Sequence, residues 1–181
     1  MQRVEGANFR ELPGAAPGKM GLWHFPSKVQ LKAAKERSGL TTLVTLQGST
    51  EEGGRVKKMC AELGIKHLQM DWWKQFNPSR FAGCVHLNTT ERSCLELCEE
   101  IVDRLKGGEV VMLHCAAGIH RTGCCAMMVL RSLGLTFEQA VQEIRKLREV
   151  TVRSAGMPLL TDASMAFELE TRRKAEAGKR L

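Results

Sequence analysis

The chain has 181 residues, 43% hydrophobic and 26% charged, with a formal net charge of +7. That length holds one domain with a sizeable core, and the composition excludes collagen-like, disordered and disulfide-stapled classes. No apolar run approaches the roughly 20 residues that a membrane helix needs, and residues 1–6 lack the apolar core of a secretory leader. No integral membrane association is therefore expected, and a cytoplasmic location is, with a nuclear one as the alternative. The seven cysteines follow no zinc-ligand spacing; free thiols in a reducing compartment, with no metal and no cofactor, are the simplest account. The basic excess suits an anionic partner without choosing among phosphoproteins, phosphoinositides and RNA.

Residues 1–20, with Pro13, Pro17, Gly6, Gly14 and Gly18, read as an irregular lead-in in which Phe9 and Leu12 pack. Residues 21–25 read as a strand ended by Pro26. Ser27 can cap a helix over 28–37, with Val29, Leu31, Ala33 and Ala34 turned loosely inward, and Gly39 stops it. The β-branched run 41–46 predicts a buried strand, and 47–54 a turn. Val56, Met59, Cys60 and Leu63 place one apolar face on a helix over 55–63, which Gly64 ends. Residues 65–70 alternate as a half-buried strand.

Residues 71–91 read as a long loop, functional by its length and anchored by Trp72, Trp73, Phe76 and Phe81. A helix follows over 92–106, then a buried strand over 109–113 and a helix over 124–133. A capping box at Thr136 and Gln139 opens a helix bearing Ala140, Val141, Ile144 and Leu147. Residues 152–158 read as a loop, and 160–174 as a last helix. This rhythm predicts an α/β chain: a central, mainly parallel sheet of about four to five strands flanked by helices in three layers, as a single domain. The expected divisions are the lead-in 1–20, a catalytic domain 21–174 and a basic tail 175–181.

The chemistry concentrates in residues 114–123, His-Cys-Ala-Ala-Gly-Ile-His-Arg-Thr-Gly. A buried strand feeds a short glycine-containing loop that opens a helix. There free N–H groups and the positive end of the helix dipole converge on one point, which is an anion site. Cys115 attacks as a thiolate, which helix N-termini and nearby cations favour. Arg121 offers a planar fork of donors for two phosphate oxygens. Gly118 lets the backbone turn its amides inward, and Thr122 puts a hydroxyl beside the sulfur. The implied reaction is covalent: the thiolate attacks phosphorus, a cysteinyl-phosphate forms, and water releases it, with no metal required.

His-Cys-x5-Arg-Thr resembles the signature loop of the cysteine-based protein tyrosine phosphatase superfamily, nearest the small (atypical) dual-specificity phosphatases. Asn8-Phe-Arg-Glu-Leu-Pro-Gly14 is similar to the Asn-Phe-Arg-Asp-Leu-Gly-Gly opening of some members. The resemblance implies Cys115 as nucleophile. It implies Ala116, Ala117, Gly118, Ile119, His120 and Arg121 as the phosphate cradle, with His120 at its rim. Thr122 would assist breakdown of the phosphoenzyme, His114 would orient the loop, and Arg153 would lie near the pocket. It also implies an aspartate general acid on a neighbouring loop. Of the three aspartates, Asp103 lies within a helix and Asp162 starts one, while Asp71 opens the long loop at the carboxyl end of a strand. Asp71 is the expected acid, although its 44-residue separation from Cys115 is long for small members; Glu51 or Glu52 is the backup.

The expected function is hydrolysis of phosphotyrosine or phosphoserine/threonine on proteins, by a monomer. The alternative keeps the chemistry on an RNA 5′-triphosphate, an inositol phosphate or a phosphoinositide. The loop lacks the lysines that lipid-directed relatives often carry at Ala117 or Ile119. A non-catalytic phosphate-binding module is the third reading, and an intact Cys115, Arg121 and Thr122 argue against it.

Overall fold

The computed structural model of the protein describes residues 6–76 and 92–179, without the side chains of Ser49 and Glu52. Four parallel strands form the body of one sheet: β2 (Lys19–Trp23), β3 (Thr42–Thr45), β4 (Lys66–Gln69) and β5 (Val110–His114). A two-residue strand, β1 (Arg10–Glu11), pairs antiparallel with β2. The order is β1-β2-β5-β3-β4, so the strand that feeds the cysteine loop is central.

Alternation along the strands divides the core into two layers. Val111, Leu113, Val44 and Leu22 turn to one face. They pack on α4 (Cys94–Lys106), α5 (His120–Ser132), α6 (Phe137–Leu147) and α8 (Met157–Gly178). Met112 and Leu43 turn to the other face, onto Leu31 of α1 (Lys28–Ser38) and Val56 and Cys60 of α2 (Gly54–Leu63). Gly21 belongs to that second face, and a Cβ there would stand 2.8 Å from the Phe9 ring. The missing side chain is what lets the lead-in pack on the sheet.

Local chemistry sets the helix ends. Ser27, Ser93 and Thr136 each close a capping box with the third residue of their helix, satisfying amides that the first turn leaves open. Two short helices, α3 (Trp72–Gln75) and α7 (Glu149–Ala155), complete the described chain.

Several boundaries differ from the sequence reading. The lead-in carries β1, and β2 starts at Lys19 because its amide bonds the Glu109 carbonyl. The turn at 47–54 holds a π-helical turn, Ser49–Gly53. The stretch expected as a loop at 152–158 is largely α7, broken at Gly156. The last helix runs to Gly178, so most of the expected tail is helical. Val29 is 65% exposed rather than inward. The first residues of the long loop form α3, with Trp72 and Phe76 buried; its remainder, 77–91, lies outside the described residues.

Leu113 is fully buried at the centre of the sheet. Leu113→Ala is expected to lower the unfolding free energy by about 2–5 kcal/mol in urea titrations, from lost transfer energy and the cavity left behind.

Candidate active site

The loop between β5 and α5 is defined by where its carbonyls go. His114 O accepts from Leu46 N at 3.0 Å, and Ala116 O from Phe25 N at 2.9 Å. Cys115 O lies 3.4 Å from His114 Nδ1. Arg148 Nη1 donates to Ala117 O at 3.2 Å and Gly118 O at 2.7 Å, and Thr151 Oγ1 donates to Gly118 O at 2.9 Å. Ile119 O accepts from Gly123 N at 2.7 Å. Every carbonyl from His114 to Ile119 thus has a partner: those of His114, Ala116, Ala117 and Gly118 outside the loop, that of Cys115 in the His114 ring and that of Ile119 in the first turn of α5. A planar peptide puts its N–H opposite its C=O, so the amides of residues 116–120 turn inward together. Among the described residues none of the 116–120 amides has a protein acceptor. They form a cluster of open donors at a helix N-terminus, which is a site for an oxyanion.

Gly118 makes the bend. Its φ is +68°, and a Cβ there would stand 2.1 Å from the Trp23 carbonyl oxygen and 2.6 Å from the His24 amide. Both are backbone atoms that cannot yield, so no other residue fits.

Cys115 is 3% exposed, at the floor of this cradle, and accepts a hydrogen bond from Thr122 Oγ1 at 3.2 Å. Arg121, the second residue of α5, is buried and aimed at Glu51, with Nη1 2.6 Å from Oε2. The same carboxylate oxygen accepts from the Gly48 amide at 3.1 Å. The Arg121 hydrogen bond holds Glu51 below the usual carboxylate range, so Glu51 is ionised at neutral pH and is a poor proton donor. It fixes one edge of the guanidinium instead. Glu51, the backup acid on this turn, is thus engaged by Arg121, and the Glu52 side chain lies outside the described ones.

Asp71 follows β4 and stands at the N-terminus of α3, half-buried. β4 and β5 are separated by β3, so their carboxyl ends lie about 10 Å apart. The Asp71 carboxylate packs against Gly48, where a Cβ would meet Oδ2 at 2.6 Å, and pairs with Lys74 Nζ at 3.5 Å. Among the described residues no hydrogen bond or ion pair joins Asp71 directly to residues 114–123. Its link is through the turn: Asp71 packs on Gly48, Gly48 bonds Glu51, and Glu51 bonds Arg121.

His114 is fully buried, with Nε2 2.8 Å from Thr45 Oγ1 and its ring edge-on to Phe25. His120 is exposed at the first position of α5, and Ala116 and Ala117 are exposed at the rim. Arg153 is exposed, and among the described residues no hydrogen bond or ion pair joins it to the loop. The supporting position is filled by Arg148, whose guanidinium also lies over the Trp23 ring at 5.6 Å. Arg148 and Thr151 are the residues that sequence reasoning missed. Beside the loop, Phe25, Ser27, Gln30, Gln47, Glu51, Arg55 and Ala116 line a cleft of about 490 Å³. Among the described residues no cluster of three or more His, Cys, Asp or Glu side chains is placed to hold a metal ion, and six free cysteines are buried.

Strand, thiol, cradle and buried arginine together define a phosphatase loop, and the comparisons agree. The profile of the tyrosine phosphatase family matches residues 54–163. The chain belongs to that family. No curated protein matches it by sequence. Among solved structures, the core catalytic domain of the PP-IP phosphatase SIW14 from S. cerevisiae is similar, with TM-score 0.62 and 18% identity over 99% of this chain and 98% of that one. Kinase associated phosphatase gives TM-score 0.58 and 16% identity over 89% and 94%. PTPMT1 gives 0.60 and 17% over 88% and 94%. At such identities these likenesses establish the fold.

Two outcomes follow from this geometry. Arg148→Met removes the charged donor to two loop carbonyls, and calorimetry should show inorganic phosphate binding weakened about tenfold. Burial pushes the His114 imidazole down to about 4 from its ordinary 6.5. Between those values the unfolded chain takes up a proton that the native chain refuses, so stability falls as pH drops from 6.5 towards 4. The slope reaches about 1.4 kcal/mol per pH unit. Denaturant titrations across that window should show it, and His114→Gln should flatten it.

Proposed function

We propose that the protein is a cysteine-dependent phosphatase that hydrolyses phosphomonoesters on proteins through a cysteinyl-phosphate intermediate. The observation that carries this reading is the ring of outward-held carbonyls around Cys115, which leaves the amides open for a phosphate over the sulfur. The phosphate lies under the amides of Ala116, Ala117, Gly118, Ile119 and His120, and the Arg121 fork takes two of its oxygens. Cys115 Sγ attacks phosphorus in line; the S–P bond forms as the P–O bond to the leaving group breaks. Asp71 is assigned the proton delivered to that leaving oxygen, and later the proton taken from the attacking water. The second step breaks S–P and releases inorganic phosphate. The Thr122 hydroxyl, already donating to Sγ, stabilises the departing thiolate.

A second reading keeps the mechanism and replaces the protein by an inositol phosphate or phosphoinositide. It is favoured by the full-length match to a PP-IP phosphatase core and by PTPMT1, which has been captured in complex with PI(5)P. The absence of lysines in the loop supports the protein substrate.

Cys115→Ser should abolish hydrolysis of para-nitrophenyl phosphate, and Thr122→Ala should accumulate phosphoenzyme in rapid-quench experiments. Asp71→Asn should lower kcat by on the order of 10²–10⁴ on phosphopeptides and remove the alkaline limb of the pH profile. A Cys115→Ser protein as fast as its parent would falsify the mechanism. A panel of phosphotyrosine and phosphothreonine peptides, inositol phosphates and 5′-triphosphorylated RNA separates the substrate readings by kcat/KM.

A further inference from the structure

We propose that His67 is a positioning residue for the Cys115 loop, acting through Thr45 and His114. The inference rests on the phosphatase reading above and adds a residue from the far edge of the sheet to it.

The fixed acceptor at one end assigns the chain a direction. Cys115 O, 3.4 Å from His114 Nδ1, can only accept, so Nδ1 carries the proton of the neutral ring. Nε2 is then an acceptor, and Thr45 Oγ1, at 2.8 Å, donates to it. The hydroxyl has one proton, already used, so its other neighbour, His67 Nε2 at 2.8 Å, donates to Oγ1. The chain runs from His67 to Thr45 to His114 to the Cys115 carbonyl. It crosses three strands on one face. Thr45 pairs with His114 on β5 and with Gln69 on β4, and His67 stands two residues before Gln69. His114 and Thr45 are fully buried, while His67 is half-buried on the edge strand.

Direction has a consequence at the loop. Without a donor from His67, the Thr45 hydroxyl is free to accept from Nε2–H instead. That selects the other tautomer of His114, whose Nδ1 lone pair faces the lone pairs of the Cys115 carbonyl. This carbonyl then loses its donor, and its peptide, which carries the Ala116 amide, is no longer held in the cradle. With His67 donating, an Nε2–H donor from His114 would leave the Thr45 proton without an acceptor among the described residues, so His67 disfavours that alternative. Protonation of His67 keeps its Nε2–H in place, so the direction survives acidification. The charged and titratable neighbours of the two rings are Lys57 of α2 for His67, and His67, Arg121 of α5 and His24 for His114. Burial first, and these neighbours after it, oppose a further proton on either ring.

The test uses the full chain as parent, His67→Phe, Thr45→Val and Thr45→Ser. Long-range proton–nitrogen correlation spectra of the imidazoles report the His114 tautomer, and para-nitrophenyl phosphate hydrolysis gives kcat, KM and the pH profile. The parent and Thr45→Ser should show only the Nδ1–H tautomer. His67→Phe should show a mixture, with kcat lowered about fivefold, and Thr45→Val should lower it about tenfold, as expected for losing one buried hydrogen bond. The pH profile of both impaired variants should change shape, and Thr45→Ser should stay within about twofold of the parent, since its hydroxyl is kept. The parent tautomer, rate and pH profile in His67→Phe would overturn the proposal, even if Thr45→Val fails to fold. If the parent lacks phosphatase activity, the functional reading fails separately, and the tautomer of His114 in His67→Phe still decides the hydrogen-bond chain.

Discussion

A peptide group that gives its carbonyl to one partner must point its N–H the other way, and the site is built on that constraint. No single contact makes the anion cradle. It follows from satisfying each carbonyl between His114 and Ile119, with partners drawn from β3's end, the turn after β2, the α6–α7 junction, and the loop and its helix. The donors come from segments far apart in sequence, so the site depends on the whole sheet and its helices being in place. Gly118 is the point of tightest approach, lying on the Trp23 carbonyl where even a methyl group has no room.

The electrostatics follow the same economy. Buried Arg121 would be costly without a partner, and Glu51 meets it from a turn whose Gly48 amide steadies the carboxylate. Phosphate then meets an arginine already oriented along one edge. Asp71 leans on that same Gly48. A shift in the 48–51 turn is therefore felt by Arg121 and Asp71 together, through packing.

Much of this was legible in the sequence, for physical reasons that differ by element. The cap at Ser27 and the capping box at Thr136 are local, and residues within one turn of each other suffice to read them. The burial of β5 and the strand-loop-helix around Cys115 are also short-range patterns. Arg148 and Thr151 were not legible, because their partners lie some thirty residues away across a chain reversal. Arg153 was favoured instead because residues 152–158 read as a loop. Once 149–155 is a helix, positions 151 and 153 are about 200° apart around its axis. Thr151 then faces the Gly118 carbonyl and Arg153 faces solvent. Asp71 was chosen by elimination among three aspartates, and the structure places it just after β4, at the N-terminus of α3.

The anchoring of the loop from α6 and α7 also bears on how the molecule comes into being. Synthesis runs from the amino end, so Cys115 emerges before Arg148 and Thr151, which hold the Gly118 carbonyl. A growing chain that has passed the cysteine but not residue 151 has the thiol and the arginine without a fixed cradle between them. The fixed geometry of the loop therefore waits for residues that come after it in the chain.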